Sequence, residues 1–547
     1  MPWALESRTL LGNLYKGTSV AKLSHPSAHP MDFPAAVRTP ALLIAGFVLV
    51  SLAKKVVESR RQEFELPLPP GPRSLPLIGN LLDINIKEPW LTFDEWAAKY
   101  GNIIHCKLFS LDIVVLQTEE AVRELLENRS WKYSDRVEMA TFEPYGMAFI
   151  TSMIGYTDTW RFHRRLYHQV FRSEVAQTFR PMQLRKVHQL ARNLMSAPED
   201  FYEHLHTLGT AVAMAAVYDY DIEPRHDPLV KVVDNAISNM IGAPEQGALV
   251  GAFPFLKYIP PWLPGGRYNA SVSKKYANIL VSTPFHALKE RMERGEAIHG
   301  LGTISLRRFQ EEDETGELVE TIRNACATAF AAGSDTTTAT LVIFVYAMMN
   351  NPEIQAKAQA ELDSVVGRER LPTYEDKPAL PYIEAVLRET LRWFPIVPLG
   401  VWHATSEDDV YEGHYIPKGA AVISNIWAIA RNPAKYPNPD KFIPERFLGP
   451  DGQPTDDTAM YAFGFGRRVC AGRHVALNSV WMSIATILTL FNIRKAKDEH
   501  GREISPKLPY STGVVTTPLA YPCHISPRSP DIDMERLNEM ISDIYDE

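Results

Sequence analysis

The chain runs to 547 residues, with a formal net charge of −8, 45% hydrophobic residues and 22% charged ones. That apolar share excludes a disordered chain, and the acidic balance without a long basic run excludes a nucleic-acid scaffold. Four cysteines with no Cys-x-x-Cys pair exclude a disulfide framework and a thiol zinc site, and fit a reducing compartment.

Residues 1–30 form a polar leader without periodicity, and Met31 opens a more usual leader, Met-Asp-Phe-Pro-Ala-Ala, so Met31 is the expected start. Residues 39–53 are nearly all apolar and are followed at once by Lys54, Lys55, Arg60 and Arg61. A full span needs about 20 residues; residues 33–37 and Val56 lengthen this one, and lysine stems can reach past it. The basic flank lies C-terminal to the apolar run, which argues against a cleaved signal and places the rest of the chain in the cytoplasm. Residues 31–65 are therefore expected to form a membrane anchor. Leu66-Pro-Leu-Pro-Pro-Gly-Pro72 reads as a stiff elbow. It leads into a body spanning 66–525. Residues 526–547 read as an acidic tail, proline-containing and then weakly helical, with no assigned function.

No linker or internal repeat divides the body. Helical segments dominate, with strand-like pieces at 103–116, at 414–423 and near the C-terminal end. Trp160 and Arg164, in Trp160-Arg-Phe-His-Arg164, lie one helical turn apart. Residues 253–266 form an aromatic, proline-rich loop, which either packs on the protein's own surface or serves an interface. The sequons Asn128-Arg-Ser130 and Asn269-Ala-Ser271 should stay unmodified if the body is cytoplasmic.

A long apolar helix is expected over 318–349, with Ala332-Gly333-Ser334-Asp335-Thr336-Thr337 inside it. Gly333 costs roughly 1 kcal/mol against alanine there. Threonine hydroxyls can bond to carbonyls one turn back and bend the ladder. Together they predict a local groove, beside which a carboxylate and a hydroxyl can pass protons. In Glu389-Thr-Leu-Arg392 the charges share a helix face at i and i+3. The apolar surroundings and the stop at Pro395 predict a buried pair, whose rupture from one side costs about 3–5 kcal/mol.

The most specific signal is Phe463-Gly-Phe-Gly466-Arg467-Arg468-Val-Cys470-Ala-Gly472, one cysteine in a glycine- and arginine-rich loop that opens onto an apolar helix at 475–490. Positive charge and donors keep a thiolate ionised, glycines let amides approach the sulfur, and the helix adds its positive end. Such a thiolate can ligate one face of an iron porphyrin.

These residues resemble the haem-binding signature of the cytochrome P450 monooxygenases, and the resemblance runs from about Pro69 to about Pro527. It implies one large, mainly α domain with a small β-sheet, the haem-thiolate fold, behind an N-terminal membrane anchor. It implies haem b with Cys470 as axial ligand, Phe463 against the haem, and Arg468, Trp160, Arg164 and His403 at the propionates. Thr336 would serve oxygen activation and Asp335 proton delivery, while Arg446 would join Glu389 and Arg392 in a structural triad. Phe330, Ala331, Ile396, Val397, Val514 and Val515 would line an apolar substrate pocket. The loop at 253–266 would join two lid helices and dip into the bilayer.

The implied activity is insertion of one atom of O2 into a lipophilic small molecule, with a pattern most like fungal enzymes of secondary metabolism and xenobiotic oxidation. Terpenoids, polyketides, indoles and polycyclic aromatics all remain open. The chain has no flavin domain, so electrons would come from an NADPH-dependent reductase in the endoplasmic reticulum membrane. Arg161, Arg164, Arg165, Arg467 and Arg473 would offer it a basic face. Two other readings stand beside this one: a thiolate-haem enzyme that rearranges peroxides, and a haem-binding protein without turnover.

Overall fold

Alternating apolar residues at 103–116 fold back on themselves as a hairpin, β1 (Ile103–Leu108) and β2 (Leu111–Leu116), with Ile103 opposite Leu116. The computed structural model describes residues 66–138, 142–224, 226–252, 270–309, 316–511 and 513–546. The leader and expected anchor, residues 1–65, are a separate unit outside these; the loop at 253–266 and Asn269 lie outside them as well. Among the described residues no helix is long and apolar enough to cross a membrane. The described part of the proline elbow is tacked to the body: Pro70 O accepts from His105 N at 2.9 Å and Pro67 O from Tyr415 N at 2.8 Å.

Helices build most of the body. After the hairpin come α1 (Ser130–Tyr133), α2 (Asp158–Phe171), α3 (Arg180–Ser196), α4 (Phe201–Tyr218), α5 (Pro228–Ala252) and the 34-residue α6 (Glu317–Asn350). Thr157 caps α2 by accepting from Trp160 N, and Glu317 and Glu320 complement the dipole in the first turn of α6. The helix α7 (Pro381–Trp393) begins with proline at its first position and stops before Phe394-Pro395, where the residue preceding a proline is pushed out of the helical region. Then follow β3 (His403–Ala404), β4 (Asp409–Tyr411), β5 (His414–Ile416), β6 (Ala421–Ser424), α8 (Arg473–Leu490), β7 (Phe491–Lys495), β8 (Cys523–Pro527) and α9 (Met534–Asp546).

The strands make small sheets. β1, β2, β6 and β3 lie in that order, with β2 and β6 parallel and the other pairs antiparallel. The parallel pair joins segments about 300 residues apart, which a long helical crossover permits. β4–β5 and β7–β8 form separate antiparallel pairs.

The core gathers around α6, which packs along α4 and against α8. From Ala339 to Val345 every α6 residue is buried, as is every α8 residue from Asn478 to Leu490. Gly209 sets the closeness of the α4–α6 crossing: a Cβ there would stand 2.6 Å from both Ser334 O and Thr338 Oγ1. At Gly333 a Cβ would meet only Ala213, at an ordinary 3.5 Å. The space that the sequence credited to Gly333 is thus demanded at Gly209 instead. The segment read as a tail is part of the body. Leu537, Met540 and Ile541 of α9 are buried, and Tyr545 meets His188 of α3 at 3.0 Å.

Candidate active site

A tight loop presents Cys470. Gly464 and Gly466 take positive φ (78° and 56°), and Cys470 N donates to Phe463 O at 2.8 Å, closing the loop. Gly466 admits no side chain, because a Cβ would lie 1.9 Å from the carbonyl oxygen of Leu126. Cys470 is exposed as a residue, although protein surrounds it closely. Burial raises the thiol's pKa; the amides of Gly472 and Arg473 and the charges of Arg164 and Arg473 pull it back. A bound cation would complete the ionisation that these donors begin.

Beside the loop, basic groups converge, with Asp135 as an acidic neighbour. Arg468 Nε donates to Ser134 O at 2.8 Å, its guanidinium stacks 4.2 Å from the Trp160 ring, and its buried Nη2 has no hydrogen-bond partner among the described residues. Arg164 donates to Val469 O at 2.8 Å. His403 donates Nδ1–H to Tyr133 O at 2.6 Å, which fixes its tautomer. The sequence had passed over Arg136, which donates to the carbonyls of Ser152, Val401 and Trp402 at 2.7–2.8 Å. Burial pushes Arg468 down to about 10, Arg136 and His403 well down, and Arg164 down as well. Asp135, the carboxylate that Arg136 and Arg468 both register, turns Oδ1 to the amides of Arg136 and Tyr156 at 2.9 Å. Half-buried arginines whose carboxylate neighbour, Asp135, turns its oxygen to backbone amides fit a ligand that brings its own carboxylates. An iron porphyrin with two propionates meets that demand beside a cysteine able to take its metal.

The long helix passes through the interior and opens in its middle. Ala332 is exposed and Ala331, Asp335 and Thr336 are half-buried, while Ser334, Thr337 and Thr338 are buried. Thr336 Oγ1 donates to Ala332 O at 2.7 Å and Thr340 Oγ1 to Thr336 O at 2.9 Å. These back-bonds leave α6 a continuous helix from Glu317 to Asn350. Burial raises the Asp335 carboxyl, and His206, whose Nε2 stands 3.9 Å away, opposes the shift. Thr328 links this helix to the cysteine loop: its hydroxyl donates to Phe149 O at 2.8 Å and accepts from Thr151 N at 3.2 Å, and Arg468 Nη1 lies 3.5 Å from Thr151 O.

The expected triad forms below. Glu389 accepts from Arg392 Nε at 2.6 Å and Nη2 at 2.7 Å, from Ile443 N at 2.7 Å and from Arg446 Nε at 3.3 Å. Both Glu389 and Arg392 are fully buried.

Of the pocket residues, Ile396, Val397 and Val515 are half-buried, and Thr516 ties the late loop to the post-α7 segment by donating N–H to Ile396 O at 2.7 Å. Phe330 is fully buried and packs on Tyr218 of α4, ring centroids 6.1 Å apart, because the phase of α6 turns 330, 334 and 337 inward together. Val514 is 52% exposed. Arg164, counted also toward the basic face, turns inward to the cysteine loop, while Arg161, Arg165 and Arg467 remain exposed.

A helical body that holds an exposed cysteine in a glycine-rich loop, with half-buried arginines beside it, suits a haem-thiolate protein. The family model for cytochrome P450 matches residues 69–523, and the chain belongs to that family. It is 38% identical to cytochrome P450 monooxygenase 98 of Postia placenta over 482 residues, covering 86% of this chain and 92% of that one. It is 35% identical to cytochrome P450 monooxygenase ple1 of Rhodocybe pseudopiperita over 499 residues (90% and 95%). It is 34% identical to tryptamine 4-monooxygenase of Psilocybe cyanescens over 502 residues (90% and 97%). The protein is an oxygen-dependent monooxygenase of the haem-thiolate type, with haem b and an axial cysteine.

Proposed function

We propose that Cys470 is the axial ligand and that the enzyme oxidises a lipophilic small molecule bound between α6, the segment at 396–397 and the late loop at Val515. The observation that carries this reading is an exposed Cys470 beside the half-buried Arg164 and Arg468, with the buried Nη2 of Arg468 making no hydrogen bond among the described residues. The haem, when bound, supplies oxygen activation and electron transfer. This chain's residues do the rest. Arg136, Arg164, Arg468 and His403 would hold the propionates, with Trp160 stacked on Arg468 and Phe463 bracing the cysteine loop. The Glu389–Arg392–Arg446 network fixes the proximal core. Asp335 holds a proton at the edge of the chamber, and the Thr336 hydroxyl orients its delivery inward. Ala331, Ala332, Ile396, Val397 and Val515 exclude water and offer apolar contact, so affinity follows substrate lipophilicity.

Tryptamine 4-monooxygenase is one of several relatives of similar identity, so an indole is one member of a panel that includes terpenoids, polyketides and polycyclic aromatics. Electrons reach the haem from a separate NADPH-dependent reductase. Residues 31–65 anchor the body to the endoplasmic reticulum membrane on its cytoplasmic side.

The test is expression in reductase-containing membranes, a carbon-monoxide difference spectrum, and product analysis across the lipophilic panel with and without NADPH. Cys470→Ala should abolish the thiolate spectrum and all product. A retained thiolate spectrum would overturn the assignment.

A further inference from the structure

The crossing that forces Gly209 against Ser334 also brings the next turn of α4 to Asp335. His206 Nε2 stands 3.9 Å from Asp335 Oδ1, with side-chain exposures of 31% and 36%. That separation is longer than a hydrogen bond and short enough for one bridging water. Among the described residues, neither side chain makes a direct hydrogen bond that would lock it elsewhere. An architectural ion pair would be closed and shielded, whereas this pair is open and half-exposed. A third group faces it from α5, where Asp234 is half-buried and interacts with both His206 and Asp335. Tyr202, one turn before His206, also registers Asp335, and its hydroxyl lies 3.2 Å from the carbonyl of Pro518.

We infer that His206 is a positioning residue for proton supply, passing protons from solvent to Asp335, with Asp234 completing a three-residue inlet between α4, α5 and α6. This rests on Asp335 being the proton donor of the reading above. Each transfer is a simple exchange: Asp335 gives its proton inward, His206 replaces it, and solvent or Asp234 restores His206. The electrostatics are suited to it. Burial raises both carboxyls, His206 pulls both back, and Asp335 raises Asp234 further, so the charge of one carboxyl bears on the other.

The experiment uses the holoenzyme with its reductase and the Asp335→Asn, His206→Gln and Asp234→Asn variants. Infrared titration of the substrate-free holoenzyme follows the carboxyl band that Asp335→Asn removes. In His206→Gln that band should titrate at higher pH, because the imidazolium's pull is gone. In Asp234→Asn it should titrate at lower pH, because a like charge is gone. A structural role would not move it in opposite directions. In turnover, His206→Gln should lose about 10-fold in product rate with a larger solvent deuterium isotope effect, at unchanged haem content. An unmoved band and an unchanged isotope effect in His206→Gln would overturn the inlet while leaving Asp335 in place. If Asp335→Asn itself leaves rate and isotope effect unchanged, the assignment of Asp335 fails and the inlet fails with it.

Discussion

Replacing Glu389 by alanine would leave the fully buried Arg392 guanidinium without its carboxylate, and stranding one partner of a buried pair costs about 3–5 kcal/mol. The sharper perturbation is the double variant Glu389→Leu/Arg392→Met. Swapping a buried ion pair for apolar side chains of similar volume is often neutral. Here it should not be. Arg392 also donates to Ala430 O at 3.0 Å, Pro439 O at 2.9 Å and Lys441 O at 3.2 Å, and Glu389 accepts from Ile443 N at 2.7 Å. The double variant strands three main-chain groups at about 1 kcal/mol or more each and leaves Lys441 O only the 3.5 Å contact from Arg446, so roughly 3 kcal/mol or more should remain lost. With a urea slope of about 3 kcal/mol/M or more for a chain of this size, the midpoint should fall by about 1 M. Haem absorbance and tryptophan fluorescence of the holoenzyme would report it. A double variant with the parent's midpoint, beside a destabilised Glu389→Ala, would show that the pair answers only to itself and would refute its role as the clamp on the 430–443 segment.

Gly466→Ala should fail to retain haem, because its Cβ would overlap the Leu126 carbonyl and the residue sits at positive φ; normal haem content after purification would contradict this. Asp409 accepts from Tyr133, Arg129 and Lys132 at 2.9–3.1 Å, tying α1 to β4. Burial raises its carboxyl, the three bonds outweigh that, and its pKa ends below 3.8, so its contribution is present above that pH and lost as pH falls through the folded pKa. Asp409→Asn should therefore cost about 1.5–3 kcal/mol at neutral pH, with the gap to the parent closing under acid in a melting series. Asn128 is exposed and should carry no glycan on protein purified from eukaryotic membranes; a mass shift at that peptide would overturn the cytoplasmic placement of the body.

What the sequence made legible was chemistry written in short strings. Cys470 stood out because its glycines and arginines lie within a few positions of it, and Glu389 and Arg392 because a helix turns i and i+3 to one side. Arg136 has no such neighbourhood; its meaning comes from carbonyls about 265 residues away at Val401 and Trp402. Asp409 likewise acts across about 276 residues. The C-terminal helix looked like a tail because its polar face dominates the composition, and only its docking on α3 shows that Leu537, Met540 and Ile541 are core.

The long helix shows the same limit in a single element. Its existence followed from its apolar content, but its rotation did not, since small and apolar residues occupy every side of it near 330–336. Phase is decided by the crossing with α4, where Gly209 lets Ser334 come close and Thr210 Oγ1 meets Ser334 Oγ at 2.8 Å. Once Ser334 faces α4, the 3.6-residue period turns Phe330 and Thr337 inward and leaves Ala331, Ala332, Asp335 and Thr336 on the open side. A glycine on a neighbouring helix thus determines both which residues meet a substrate and which acid stands beside His206.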